Sequence, residues 1–277
     1  MSTAAKWSAR DAVARWSAHE PRAVTEHRVD VEDGEGVRLI AFDRPEVRNA
    51  FDVAMYQAVT TALAEASSND SVNAVVLTGR GKAFTSGQDL REMAAIATGT
   101  AGPEAGKGFQ QLLDSLQLFE KPLLAAVHGV GVGLGFTMLA HVDVVLVDET
   151  ARLRCPFAEM GVPPEAASSY LLPVRMGWQR AASVLLLSEW IDARQAVDSG
   201  IALRVVPEGR VLDETMALAR RIAAFPPHGV REIKRLMMEN LRPSIAAARQ
   251  REESAFAALF TDPATNPGLG LISGLRD

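Results

Sequence analysis

A single carboxylate stands between two prolines and four small residues in the stretch GVPPEAASSY, residues 161–170. A glutamate in such a setting can serve as a general base if its pKa is suitably raised by desolvation. The local pattern also has a simpler interpretation, because Pro164 suits the first position of a helix and Glu165 suits its first turn. On local chemistry alone, Glu165 is predicted to be a dipole-matching surface residue at a helix N-terminus.

Two glycine-bearing turns offer a second kind of chemistry. They are HGVGVGLG, residues 128–135, and GKAFTSGQDL, residues 81–90, and each comes after a predicted strand. Bare backbone N–H groups at such turns can bind a phosphate or a developing oxyanion. One N–H from each turn could therefore hold the same carbonyl oxygen. Two ordinary strand–helix turns would give the same pattern, so both interpretations stay open here.

Other well-known catalytic and nucleotide-binding motifs are absent from the sequence. The glycines of HGVGVGLG do not fit the dinucleotide fingerprint, and GPEAGKG lacks the spacing and hydroxyl residue of a phosphate-binding loop. There is no G-x-S-x-G elbow and no histidine pair at metal-ligand spacing, so no metal site is expected. We interpret His128 and His141 as hydrogen-bonded structural residues. Cys155, the single cysteine, excludes an internal disulfide and is predicted to be buried and inert.

Composition limits the class of protein. The chain has 277 residues, 48% of them hydrophobic, and a net charge of −5. These values fit a globular protein with a large core and argue against a general nucleic-acid binder. No apolar run reaches the roughly 18 residues that a membrane span needs, and the N-terminus lacks the apolar centre of a secretory signal. The chain ends in LRD rather than a peroxisomal tripeptide, and we expect a cytoplasmic protein without a membrane partner.

Hydrophobic periodicity predicts an α/β core followed by helices. The segments HRVDVED and GVRLIAFD alternate and form a hairpin through GEG, and Asp52 is positioned to cap a helix over residues 53–67. Further strands are predicted at NAVVLTG, PLLAAV, DVVLVD, ARLRCPF and ALRVVP, and further helices at 109–119, 164–172, 179–187 and 192–199. Beyond residue 211 the pattern is helical only. We predict an N-terminal extension over 1–25, a core over 26–210 and a C-terminal helical region over 211–277.

Five motifs in order resemble the enoyl-CoA hydratase/isomerase (crotonase) superfamily over roughly residues 26–260. They are RPEVRNAFD, VVLTGRGKAFTSGQDL, KPLLAAVHGVGVGLGFTMLAHVDVVLV, ARLRCPFAEMGVPPEAASSYLLPVRMG and DARQAVDSGIALRVVP. The resemblance implies an α/β fold, a crotonase-like spiral of ββα units with a C-terminal helical trimerisation region. It also implies a homotrimer or homohexamer that binds an acyl-CoA thioester. Coenzyme A is then part of the substrate, and no separate cofactor is expected.

The resemblance also implies which residues bind the substrate. The backbone N–H groups of Gln88 and Leu134 would form an oxyanion hole for the thioester carbonyl. The turn from Ser86 to Leu90 would meet the adenine, and Arg48 is a candidate for the CoA phosphates, with a solvated arginine as the alternative. The substrate-binding candidates are therefore Ser86, Gly87, Leu90, Gly133 and Arg48.

Departures from the family pattern point to one reaction within it. Hydratases carry two glutamates, and the corresponding positions here are Thr137 and Phe157. Neither side chain can activate water or protonate a carbon, so ordinary hydration is not expected. The segment CPFAEMGVPPEAASSY is most similar to peroxisomal-type Δ3,Δ2-enoyl-CoA isomerases, whose one catalytic glutamate matches Glu165. Glu159 is the reserve candidate for that role.

The isomerase interpretation needs only one base, which removes a proton at C2 and returns one at C4. Prolines before Glu165 would fix the position of the carboxylate, and small residues after it would leave room for the acyl chain. Two alternatives remain open on the sequence. The chain could catalyse another acyl-CoA reaction, such as hydration with unusual residues or hydrolysis, or it could bind CoA esters without catalysis.

Overall fold

A computed structural model describes residues 28–97, 100–101 and 106–261. Its nine strands are β1 Val29–Gly34, β2 Val37–Phe42, β3 Ala74–Gly79, β4 Leu123–Val127, β5 Val130–Val132, β6 Val144–Asp148, β7 Arg152–Arg154, β8 Ile191–Asp192 and β9 Arg204–Val206. The α-helices in these residues are α1 Val53–Ser68, α2 Leu90–Ala97, α3 Lys107–Leu118, α4 Leu134–Thr137, α5 Phe157–Met160, α6 Ser168–Met176, α7 Trp178–Leu186, α8 Ala193–Asp198, α9 Val211–Ala223, α10 Pro227–Glu239 and α11 Arg242–Thr261. Short 3-10 helices cover Pro45–Val47 and Met138–His141.

The strands form two sheets. The larger has the order β1-β2-β3-β4-β6-β9, and all its pairs are parallel except the β1–β2 hairpin. The smaller has the order β5-β7-β8. The units β4-β5-α4 and β6-β7-α5 each place their first strand in the large sheet and their second in the small one. This alternation produces a spiral of ββα units, and it brings the turns after several strands to one region.

Sequence patterns and structure agree for most of these elements. The β1–β2 hairpin turns through Glu35 and Gly36, both at positive φ, as the short connection between antiparallel strands requires. The Asp52 side chain accepts a hydrogen bond from Met55 N at 2.8 Å and so caps α1 as predicted. Strands β2, β3 and β4 are buried along their whole length because both faces of the sheet are covered.

The helix predicted over 164–172 begins later, at Ser168. Ala166 and Ala167 both adopt left-handed backbone conformations, with φ of 59° and 56°, and they separate the prolines from the helix. Glu165 therefore lies in an irregular segment before α6, and its predicted position in a first helical turn is wrong. Left-handed residues cannot be part of a right-handed helix, so α6 begins only after Ala167. The sequence patterns also missed α2, α5 and the short strand β5 inside the glycine-rich turn.

Two apolar cores hold the layers together. The main core packs α1, α3, α4 and α6 around the sheets, and a smaller one lies where α9 covers the opposite face of the large sheet through Val211, Met216 and Ala219. Helix α11 returns to pack against α6, and its Ile245 and Ala248 are fully buried. Helix α11 is thus part of the folded body.

Parts of the predicted organisation lie outside this description. The extension over 1–25 and the last residues of the chain fall outside the described residues, and the boundary near 210 remains a prediction. None of the described helices is both long and apolar enough to cross a bilayer. Within the same residues, no three His, Cys, Asp or Glu side chains gather as a metal site would require.

Candidate active site

A cavity of about 210 Å³ opens between α2, α3 and α11. Its apolar wall consists of Met93, Ile96, Phe109, Leu113 and Phe256. Its polar lining consists of Gln88, Gln110, Glu165, Arg249, Glu252 and Glu253. An apolar cavity with a few convergent polar groups is the usual form of a small-molecule site. Two of the residues predicted from sequence, Glu165 and Gln88, lie on it.

The Glu165 carboxyl group has one oxygen bonded and one oxygen without a partner. Thr137 Oγ1 donates a hydrogen bond of 2.6 Å to Oε1, whereas Oε2 is buried and accepts none from the described residues. Burial raises the pKa of Glu165 to about 8, the hydrogen bond from Thr137 opposes that rise, and the charge of Glu252 adds to it. A carboxyl group with such a pKa and a vacant oxygen is suited to take up a proton at a cavity wall.

The backbone around Glu165 is held from several sides. Ser168 N donates to Glu165 O at 3.0 Å, and His141 Nε2 lies 2.8 Å from Ala166 O. Burial lowers the pKa of His141 to about 4, so the ring is neutral and donates from Nε2 to that carbonyl. His141 is thus a hydrogen-bonded structural residue, as predicted from sequence. Glu252, from α11, accepts hydrogen bonds from the N–H groups of Ala167 and Ser169.

The two glycine-bearing turns lie against each other. Thr85 N donates to Val130 O at 3.2 Å, and Val132 N donates to Thr85 O at 3.1 Å. A Cβ at Gly87 would lie 2.4 Å from Val132 O and 3.4 Å from Leu134 N, so only glycine fits that contact. Within the described part of the chain, neither Gln88 N nor Leu134 N donates a hydrogen bond. Two free amides in adjoining turns are what an oxyanion hole requires.

Neighbouring residues fix the turn that carries Gln88. Phe51 N donates to Gly87 O and Asp89 N donates to Phe51 O, which ties down both sides of Gln88 while leaving its own N–H free. Thr85 Oγ1 accepts from Gly87 N at 3.0 Å and donates to Asn49 O at 2.7 Å. This network orients the turn before any ligand arrives.

The remaining predicted residues lie around the same turn or apart from it. Ser86 N donates to Arg48 O at 2.9 Å, so Arg48 adjoins the turn, with an exposed side chain. Leu90, 41% exposed, opens α2, and Gly133 precedes Leu134 with a φ of 54°. The reserve candidate Glu159 is different, because its side chain is 54% exposed, pairs with Arg154 and lines no part of the cavity.

Sequence reasoning missed the supporting roles of Thr137 and Glu252. Thr137 was interpreted only as a lost hydratase acid, although its position next to the glycine run already placed it near the site. Glu252 lies in a helical stretch with no local motif, so no signal in the sequence pointed to it. Cys155 is buried, and burial raises the pKa of its thiol well above the usual range, in agreement with the predicted inert thiol.

Comparison with known proteins agrees with the family motifs in the sequence. The model of a family described as enoyl-CoA hydratase/isomerase matches residues 32–270. The chain is similar to enoyl-CoA delta isomerase 2 of Rattus norvegicus, with 34% identity over 220 residues, covering 78% of this chain and 56% of the relative. The chain therefore spans little more than half of that protein. It is also similar to 2,3-dehydroadipyl-CoA hydratase of Escherichia coli, with 30% identity, covering 84% of this chain and 90% of the relative.

Solved structures agree on the fold. An enoyl-CoA hydratase/isomerase from Pseudoalteromonas atlantica superposes with a TM-score of 0.83 and 30% identity, covering 90% of this chain and 98% of the other. The predicted crotonase-like α/β spiral is confirmed.

Proposed function

Because the chain belongs to the enoyl-CoA hydratase/isomerase family, whose members are acyl-CoA-processing enzymes, we propose that it moves the double bond of a 3-enoyl-CoA to the 2-position. The observation that carries this proposal is a single carboxyl group, Glu165, buried at the cavity wall with one free oxygen. The similarity to an enoyl-CoA delta isomerase supports it, while the similarity to a hydratase makes hydration the main alternative.

The first step of the proposed reaction removes a proton from C2. The thioester oxygen accepts hydrogen bonds from the N–H groups of Gln88 and Leu134, and Glu165 Oε2 takes the proton. The electron pair of the broken C–H bond moves between C1 and C2, and negative charge develops on the thioester oxygen. One well-placed oxyanion donor contributes about 10²–10³ in rate.

The second step returns a proton to C4. As the enolate collapses, the electrons between C1 and C2 form the new bond between C2 and C3. The electrons of the former C3–C4 double bond take the proton from the Glu165 carboxyl at C4. The base is regenerated, so one carboxylate accounts for both transfers without water as a reactant.

Hydration is less well supported, because neither position at which hydratases carry a glutamate has a carboxyl group here. Thr137 donates a hydrogen bond to Glu165, and Phe157 is a buried core residue. Activating water and protonating the α-carbon ordinarily takes two acid–base groups in tandem. Glu252 also lines the cavity, but both its oxygens already accept backbone hydrogen bonds.

An assay of both reactions on the same preparation tests this proposal. We expect trans-3-enoyl-CoA to become the conjugated 2-enoyl-CoA, seen as rising ultraviolet absorbance, at a rate at least ~10²-fold above hydration of trans-2-enoyl-CoA, the contribution of one acid–base group. Faster hydration or hydrolysis would favour another acyl-CoA reaction. Binding of CoA esters without any turnover would indicate a non-catalytic binding protein.

The raised pKa of Glu165 predicts the pH dependence. Because the base must be ionised, kcat/KM should rise with pH through a midpoint of about 8 and then level off. In Thr137→Val the donor that stabilises the ionised form is missing, so the midpoint should move to higher pH. Below the midpoint, kcat/KM of Thr137→Val should be roughly tenfold lower than that of wild type, because a charge-assisted hydrogen bond has been lost. Thr137→Ser keeps the hydroxyl and should keep the wild-type profile; equal profiles for all three proteins would contradict the assigned role.

We also propose a homo-oligomer, a trimer or hexamer, as the resemblance implies. Large apolar side chains exposed on the single chain support this proposal, because burying them between copies would stabilise an oligomer. They include Trp178, Leu186, Leu187, Ile233 and Met237.

A further inference from the structure

Glu252 is a buried carboxylate that the proposed reaction does not use as a proton carrier. It lies on α11, is 5% exposed, and lines the same cavity as Glu165. Its Oε2 accepts from Ala167 N at 2.7 Å and its Oε1 accepts from Ser169 N at 2.9 Å. Because both oxygens are engaged, the group is suited to hold the backbone rather than to move a proton.

The backbone that Glu252 holds is an unusual one. Ala166 and Ala167 are consecutive non-glycine residues in the left-handed region, with φ of 59° and 56°. Such conformations persist only where surrounding contacts over-determine them. Here the contacts come from His141 to Ala166 O and from Glu252 to Ala167 N and Ser169 N. The turn joins Glu165 directly to α6, so its geometry sets the direction of the Glu165 side chain.

Glu252 also bridges two parts of the chain that are distant in sequence. It is 85 residues from Ala167, and it is held in place because Ile245 and Ala248 of the same helix are fully buried. The position of α11 therefore determines the position of the segment that carries Glu165. We propose that Glu252 is a positioning residue, which fixes the Ala166–Ala167 turn and so holds the Glu165 carboxyl in its reactive orientation. This inference rests on the proposed isomerase function.

Several ionisable groups interact with Glu165 or lie near it. The carboxyl group of Glu252 raises the pKa of Glu165, while Thr137 lowers it through its hydrogen bond. Burial holds His141 neutral, and burial raises the pKa values of the Tyr56 hydroxyl and the Cys155 thiol. Arg249 and Glu253 complete the charged groups of the cavity wall. Arg249 is itself engaged with Asp114 at 2.6 Å.

The test compares Glu252→Gln with wild type in the isomerase assay, over a range of pH. Glutamine keeps the volume but loses the negative charge and meets one of the two N–H groups with its own amide. We expect kcat to fall on the order of 10²-fold, the effect of a small misplacement of a reacting group, while KM changes little. The midpoint of the pH profile should move to lower pH, opposite to the shift in Thr137→Val, because a negative charge near Glu165 has been removed.

A matched control separates positioning from stability. Asp192 also accepts a backbone N–H at a helix start, from Gln195 at 2.8 Å, and does not line the cavity. Asp192→Asn should lower the unfolding temperature while leaving kcat and the pH midpoint unchanged. If Glu252→Gln behaves like this control, losing stability without a change in kcat or midpoint, the inference is wrong.

Glu252→Asp covers the case in which the glutamine variant does not fold. It keeps the charge but withdraws the carboxylate by one methylene, so kcat should fall while the midpoint stays near that of wild type. Wild-type kcat in this variant would overturn the inference.

Failure of the proposed function is distinguishable, because wild type itself would then not isomerise 3-enoyl-CoA. An active wild type, an inactive Glu165→Gln and an unaffected Glu252 variant would refute the positioning role alone.

Discussion

Replacing Glu165 by glutamine is expected to lower kcat for isomerisation by about 10²–10⁴-fold, the usual contribution of a general base. The amide has nearly the same shape and can keep the hydrogen bond from Thr137, but it cannot take a proton from C2. Binding of a saturated acyl-CoA, measured by calorimetry, should be retained, because the oxyanion amides and the apolar wall are untouched. Turnover of 3-enoyl-CoA followed by ultraviolet absorbance measures the effect.

Glu159→Gln is the matched control for this variant. Glu159 is in the same segment, but it is exposed and paired with Arg154 rather than facing the cavity. We expect wild-type turnover from it. The Glu165 variant should also be at least as stable as wild type above the midpoint. Folding raises the pKa of the Glu165 carboxyl to about 8, so the wild-type protein loses stability as the pH rises toward that value, and glutamine removes this loss. An active Glu165→Gln, or an inactive Glu159→Gln, would assign the base elsewhere.

Gly87→Ala is expected to lower kcat by about 10²–10³-fold, as the loss of an oxyanion donor does. The added Cβ would lie 2.4 Å from Val132 O and 3.4 Å from Leu134 N, and the alanine backbone would have to adopt a φ of 87°. The two turns must therefore separate, which moves the amides of Gln88 and Leu134 away from a common oxygen. Steady-state kinetics, together with circular dichroism to verify the fold, measure this result.

Gly209→Ala provides the control for backbone strain. Gly209 also has a positive φ, 75°, but no atom lies within 4 Å of the position that its Cβ would take. It should lose some stability and keep its activity. Wild-type kcat in Gly87→Ala would show that the contact between the turns does not matter, and the oxyanion assignment to Gln88 and Leu134 would have to be withdrawn.

The larger elements could be predicted because their patterns are local. Asp52 followed by apolar residues at helical spacing fixed α1, and continuous apolar runs marked the buried strands β3 and β4. The glycine turns could be recognised as candidates for backbone N–H binding. Their contact could not be predicted, because it depends on the spiral that brings Gly87 to within reach of Leu134.

The setting of the base was the least predictable part. Prolines and an acid before small residues favour a helix start, and that interpretation failed because a carboxylate 85 residues away takes up the N–H of Ala167. The raised pKa of Glu165 likewise depends on burial beneath distant helices rather than on neighbours in sequence. Packing between residues that are distant in sequence thus places Glu165 before the helix, at the wall of the cavity.

The central claim is that one buried carboxyl group carries the proton from C2 to C4, and isomerisation in heavy water tests it most directly. The 3-enoyl-CoA substrate with ordinary hydrogen at C2 is converted for a short time, and the product is analysed by mass spectrometry and NMR. The account predicts that part of the product carries protium transferred to C4, because the proton resides on a buried oxygen between the two steps. Complete deuteration at C4 from the first turnovers would contradict it, since a separate acid or solvent would then supply that proton.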